Sequence, residues 1–105
     1  MLELPFQAKM TDRLASILRR IAAEDQRENQ DMLPSFMWEH FDSGPRAGTW
    51  NWQLCSFSQK VLRPEDVVTV ADVSFYIAAD QRHRLIGRVL DWSEKEGLIA
   101  YENAS

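Results

Sequence analysis

Apolar positions along this chain change their period once. Between Thr11 and Glu28 they recur at helical spacing. Leu14, Ile17, Leu18, Ile21 and Ala22 fall at i, i+3, i+4, i+7 and i+8, one face of a helix. Arg13, Arg19, Arg20, Glu24 and Arg27 take the other face. Thr11 or Asp12 can accept hydrogen bonds from the free N–H groups at the start. The spacing predicts a helix over Asp12–Glu28.

The texture turns to β after "NQDMLP", where Pro34 pushes its predecessor away from helical angles. "TWNWQLCSF" alternates strictly. Trp50, Trp52 and Leu54 point one way, and Asn51, Gln53 and Cys55 the other. Together with the short aromatic run "SFMWEHF" and the turn formers of "DSGPRAG", this predicts a hairpin of Phe36–Phe41 with Thr49–Phe57. Trp50 and Trp52 are expected on its core face. "QKVLRPED" reads as a polar connector. "VVTVADVSFYIA" reads as strand, with Ala71 and Asp72 forming either a tight turn or a bulge. "DQRH" is expected to be a loop. Arg84–Trp92, "RLIGRVLDW", suits a strand or a short helix. "SEKEG" reads as a turn and "LIAYE" as the last strand. One N-terminal helix followed by about five mostly antiparallel strands is an α+β arrangement, with the helix on or beside a sheet.

Composition narrows the class. The 105 residues suit a single domain, 1–105. Sixteen acidic against twelve basic residues give a net charge of −4, which argues against nucleic acid as the main partner. One cysteine permits no internal disulfide, in keeping with a reducing compartment. No apolar run is long enough to span a bilayer, and "MLELPFQAKM" lacks the pattern of a signal peptide. The expectation is a soluble, cytoplasmic protein with no membrane role.

Reactive chemistry is sparse. Cys55 has neither a base nor a positive charge beside it, since Leu54, Ser56 and Phe57 are its neighbours. It reads as a half-buried strand residue. Metal sites want paired Cys or His ligands, and this chain has one Cys and two isolated His. No metal site is expected; the alternative is a set drawn from Cys55, His40 and His83. "GPRAG" lacks P-loop spacing and reads as a turn. "DQRHRLIGR" concentrates Arg82, His83, Arg84 and Arg88, either an ordinary charged loop or a patch for an acidic partner. Gly87, inside an apolar run, marks a bulge or a close backbone approach. Four tryptophans are a heavy load for this length. If Trp38 and Trp50 share an open face, they form a binding surface. No catalytic constellation is present, so no enzyme is expected.

The stretch from Asp66 to the C-terminus resembles the closing part of HesB-like domains, the A-type iron–sulfur carriers. The matching residues are Asp66, Val67, Val68, Phe75, Ile77, Leu85, Gly87, Leu90, Asp91, Trp92, Leu98, Asn103 and Ala104. The helix and the strand–glycine loop–strand before it stand in the family's order. The resemblance implies the HesB-like fold. The family holds iron or a cluster with a cysteine in the glycine-rich region and two more in a Cys-Gly-Cys. Gly44–Gly48 contains no cysteine, no Cys-Gly-Cys occurs in the chain, and Cys55 does not match the family's position. A single thiolate falls short of the roughly four ligands that such clusters take.

The expectation is therefore a small, non-catalytic binding or adaptor protein of HesB-like fold, without cofactor and with its cluster site lost. It would act through a protein partner, using Trp38, Trp50, Arg82, His83, Arg84 and Arg88. The competing expectations are an iron or iron–sulfur carrier built across a homo-oligomer from Cys55 with His40 or His83, and a small-molecule-binding module.

Overall fold

Four hairpins make up the β structure, and they pair two by two. The computed structural model describes residues 1–103, so Ala104 of the HesB-like stretch lies outside the described residues. β1 (Leu2–Leu4) and β2 (Ala8–Met10) form the first hairpin, and β3 (Met32–His40) and β4 (Trp50–Ser58) the second. β5 (Val67–Val70) and β6 (Val73–Ile77) form the third, and β7 (Arg88–Ser93) and β8 (Gly97–Glu102) the fourth. A parallel seam of β2 with β7 joins the first and fourth hairpins into a sheet ordered β1-β2-β7-β8. A parallel seam of β3 with β6 joins the second and third into a sheet ordered β4-β3-β6-β5. The outer strands of the two sheets lie alongside each other, β8 by β4 and β1 by β5.

The architecture is α+β, with eight strands among the described residues rather than the expected number of about five. β1 and β2 carry no local sequence signal because three-residue strands show no period. Their turn holds Gln7 at φ 61, a left-handed angle rare outside glycine. "VVTVADVSFYIA" is two strands turned at Ala71, φ 54, and Asp72. "DQRH" is not a loop but part of a 3-10 helix spanning Ala79–Leu85. "RLIGRVLDW" resolves into the end of that helix, a turn at Gly87 and strand β7. β3 begins at Met32, so Pro34 lies inside a strand rather than ahead of it.

The helix α1 covers Asp12–Glu28, as the periodicity predicts. Thr11 caps it, its hydroxyl accepting from the Leu14 N–H at 3.2 Å. The same hydroxyl donates to Asp91 Oδ1 at 2.7 Å, and the Thr11 N–H donates to the Leu90 carbonyl at 3.0 Å. The start of α1 is thereby fastened to β7. Further along, Arg19 pairs with Asp72 in the β5–β6 turn, and the Ser56 hydroxyl donates to Asp25 near the end of β4. The helix thus lies against the starts of β3 and β6 and the end of β4.

Every strand contributes to one continuous apolar interior. Phe36, Trp52, Val68, Phe75, Ile77, Leu90 and Leu98 meet Leu14 and Leu18 of α1 there. β6 shows the alternation cleanly, with Val73, Phe75 and Ile77 buried and Ser74 and Tyr76 only half-buried. Phe36 stacks on Phe75 with ring centroids 4.8 Å apart. Each large apolar side chain buried in this way contributes roughly 1.5–3 kcal/mol.

Candidate functional site

The inner face of the β3–β4 hairpin outruns the sheet that covers it. Along β3 this face carries Phe36, Trp38 and His40, and directly opposite on β4 stand Leu54, Trp52 and Trp50. Phe36 and Trp52 are buried, Trp38 is half-buried, and Trp50 is 59% exposed. Trp50 and Trp52 share a face, as the alternation predicts, but Trp50 is not core. Its strand extends past the end of β6, which pairs with β3 only as far as Ile77 opposite Phe36.

The 3-10 helix Ala79–Leu85 and the start of β7 wall off this open end. Between them and the indoles lies a groove of about 610 Å³. Trp38, Trp50 and Trp52 line one side. His83, Arg84, Ile86 and Arg88 line the other, with Ala100 of β8. Trp38 meets Trp52 edge to face at 5.3 Å, and His40 meets Trp50 in the same manner at 5.7 Å. Such pairs contribute about 0.5–1.5 kcal/mol beyond the area they bury.

Arg84 is the organised element of the groove. Its guanidinium lies over the Trp38 ring, 4.6 Å from the centroid, and its Nε–H donates to Gln81 Oε1 at 2.7 Å. In a 3-10 helix residues i and i+3 eclipse, which sets Gln81 directly in line with Arg84. Arg84 is exposed and lines the groove. No Asp or Glu lines the cavity. Neither Arg84 nor Arg88 forms an ion pair among the described residues, although Glu102 stands opposite Arg88 in the β7–β8 register. A patch of positive charge beside exposed aromatic surface therefore sits on a chain of net charge −4.

The structure brings together Trp38, Trp50, His83, Arg84 and Arg88 from the sequence-based set. Arg82 is directed elsewhere. Its guanidinium donates to the carbonyls of Ile77 at 3.2 Å and Asp66 at 3.0 Å and lies 5.5 Å from the Phe6 ring centroid. Arg82 fastens the 3-10 helix to the body of the protein. Sequence reasoning missed Gln81 and Ile86. The i, i+3 spacing of Gln81 and Arg84 was available as a signal, but only once the segment was known to be helical.

Cys55, His40 and His83 are not assembled into one site. Cys55 faces away from Trp50 and lies five residues along the same strand, opposite Ser35. It is half-buried, and burial, followed by the Glu39 carboxylate, pushes its thiol above the ordinary value. That direction opposes nucleophilic or ligating behaviour. His40 contacts Asp42 at 3.0 Å, whereas His83 lies in the groove. Among the described residues no three His, Cys, Asp or Glu side chains are grouped to hold a metal ion. The glycine loop is a turn with Gly44 at φ 83 and Gly48 at φ 82. Its Arg46 is engaged, lying 4.4 Å from the Phe41 ring centroid and donating to the Leu98 carbonyl at 2.8 Å.

No family model, curated protein or solved structure matches the chain. No helix among the described residues is long and apolar enough to cross a membrane.

Proposed function

We propose that the chain is a non-catalytic binding protein whose groove receives an acidic segment of a protein partner. One observation carries this reading. Arg84 lies over Trp38 in a cavity without carboxylates, beside a Trp50 that is 59% exposed. An arginine stacked and braced in this way loses little side-chain freedom when an anion arrives. Exposed tryptophan with arginine is also the composition of protein-binding hot spots.

The HesB-like resemblance is part of the same proposal, because its signature residues serve here as scaffold. Gly87, at φ 76, donates its N–H to the Gln7 carbonyl at 2.8 Å and accepts from the Asn103 N–H at 3.1 Å. Asp91 accepts from Thr11 and from the Trp92 N–H, the latter at 2.7 Å. These residues tie α1, the N-terminal hairpin and β7 together and so hold one wall of the groove. A small anionic compound is the second reading, favoured by a cavity volume within the range of ligand sites.

The test is titration with synthetic peptides in which an aromatic residue adjoins two or three glutamates, followed by tryptophan fluorescence and calorimetry. Binding is expected to weaken as salt rises. It is also expected to fall about tenfold or more in Arg84→Ala or Trp50→Ala. Equal binding by the glutamine counterparts of these peptides, or no loss in either variant, overturns the reading.

A further inference from the structure

We propose that the anion this groove reads best is a phosphate monoester on an aromatic ring, as in a phosphotyrosine of the partner. The inference rests on the binding reading above and narrows it to one chemistry. Arg84 and Arg88 both line the cavity and both lack an ion-pair partner among the described residues, and His83 lines it beside them. A carboxylate carries one charge and fills one guanidinium fork. A phosphate monoester carries about −1.5 to −2 charges and three acceptor oxygens, which matches two guanidiniums with a further donor to spare.

The aromatic half of the ligand follows from the indoles. Arg84 already covers the Trp38 face. Trp50, whose edge-to-face contact is with His40, is 59% exposed and borders the same cavity, so it offers the free stacking surface. Arg88 begins β7 and lines the same cavity, so a ring laid on Trp50 shares one groove with both guanidiniums. The net charge of −4 favours a ligand with one concentrated phosphate over an extended polyanion, which the rest of the surface would repel.

The experiment compares three pentapeptides by calorimetry with the full chain. Each has a central residue flanked by two glycines on either side, and the central residue is phosphotyrosine, tyrosine or glutamate. Phenyl phosphate, adenosine monophosphate and inorganic phosphate are titrated separately. Phosphotyrosine is expected to bind about tenfold or more tightly than glutamate. Arg84→Ala and Arg88→Gln should each remove most of that preference. Arg84→Lys should recover only part, since lysine neither stacks nor binds bidentately. Arg27→Ala, on the exposed part of α1, should change nothing, and thermal melts confirm that each variant is folded.

If acidic peptides bind at the groove but phosphotyrosine has no advantage over glutamate, the phosphate inference falls while the proposed function stands. If adenosine monophosphate outbinds the phosphotyrosine peptide, the phosphate chemistry holds but the peptide source is wrong and the inference as stated fails. If nothing binds, both fall.

Discussion

Thr11 donates its hydroxyl proton to Asp91 Oδ1 at 2.7 Å, across 80 residues of sequence. The same oxygen of Thr11 caps α1 by accepting from Leu14, so one hydroxyl sets the start of the helix and its attachment to β7. Thr11→Val removes both bonds and leaves the Leu14 N–H and the Asp91 carboxylate short of a partner. The expected loss is about 1–2 kcal/mol. Urea unfolding measures it, and Thr11→Ser should fall within about 0.5 kcal/mol of wild type because the hydroxyl is kept.

Trp52 and Trp50 stand two residues apart on one face of β4 and should differ sharply in what they contribute to stability. Trp52 is 2% exposed and Trp50 is 59% exposed. Trp52→Ala is expected to cost about 3–5 kcal/mol, as for other large core truncations. Trp50→Ala is expected to stay within about 0.5 kcal/mol while lowering affinity for the groove's ligand. Denaturation curves of the two variants decide the matter. Equal costs would show that Trp50 belongs to the core after all.

The β5–β6 turn holds Ala71 at φ 54, where an L side chain is strained. Ala71→Gly should therefore stabilise the protein by about 0.5–1 kcal/mol. Ala71→Val, β-branched at a left-handed angle, should destabilise it. Urea midpoints measure both, and a destabilised glycine variant would place the turn in another conformation.

Cys55 should behave as a reluctant thiol. Because burial and then Glu39 raise its pKa, folding favours the protonated form. Its contribution to stability is complete below the ordinary thiol value and is lost as pH rises through the raised one. Alkylation by iodoacetamide should be slower than for a free thiol at the same pH, and the alkaline loss of stability should shrink in Cys55→Ser. Anaerobic reconstitution with iron and sulfide should yield no visible charge-transfer band. A band that vanishes in Cys55→Ser would reinstate the carrier reading.

Local signals were legible in the sequence, and long-range ones were not. α1 and the β3–β4 hairpin are encoded within consecutive residues, by a helical period and by strict alternation around a glycine turn. β1 and β2 are defined chiefly by their partners: Lys9 and Met10 pair with Val89 and Leu90, a seam that no local pattern announces. The same division runs through the site. Trp38, Trp50, His83, Arg84 and Arg88 stood out as residue types in unusual concentration. Their separation from Arg82 depended on which way a 3-10 helix turns each side chain. Arg82 and Arg84 are near neighbours in sequence, yet one grips the carbonyls of Ile77 and Asp66 and the other lies on Trp38.

Arg46 joins the two sheets at one margin. β8 is the last strand of its sheet and lies alongside β4, the last strand of the other. Braced against Phe41, Arg46 donates to the Leu98 carbonyl, so the loop between β3 and β4 is stitched to the neighbouring sheet at that margin. The loop that carries Gly44 and Gly48 thus serves as a clasp between the two sheets.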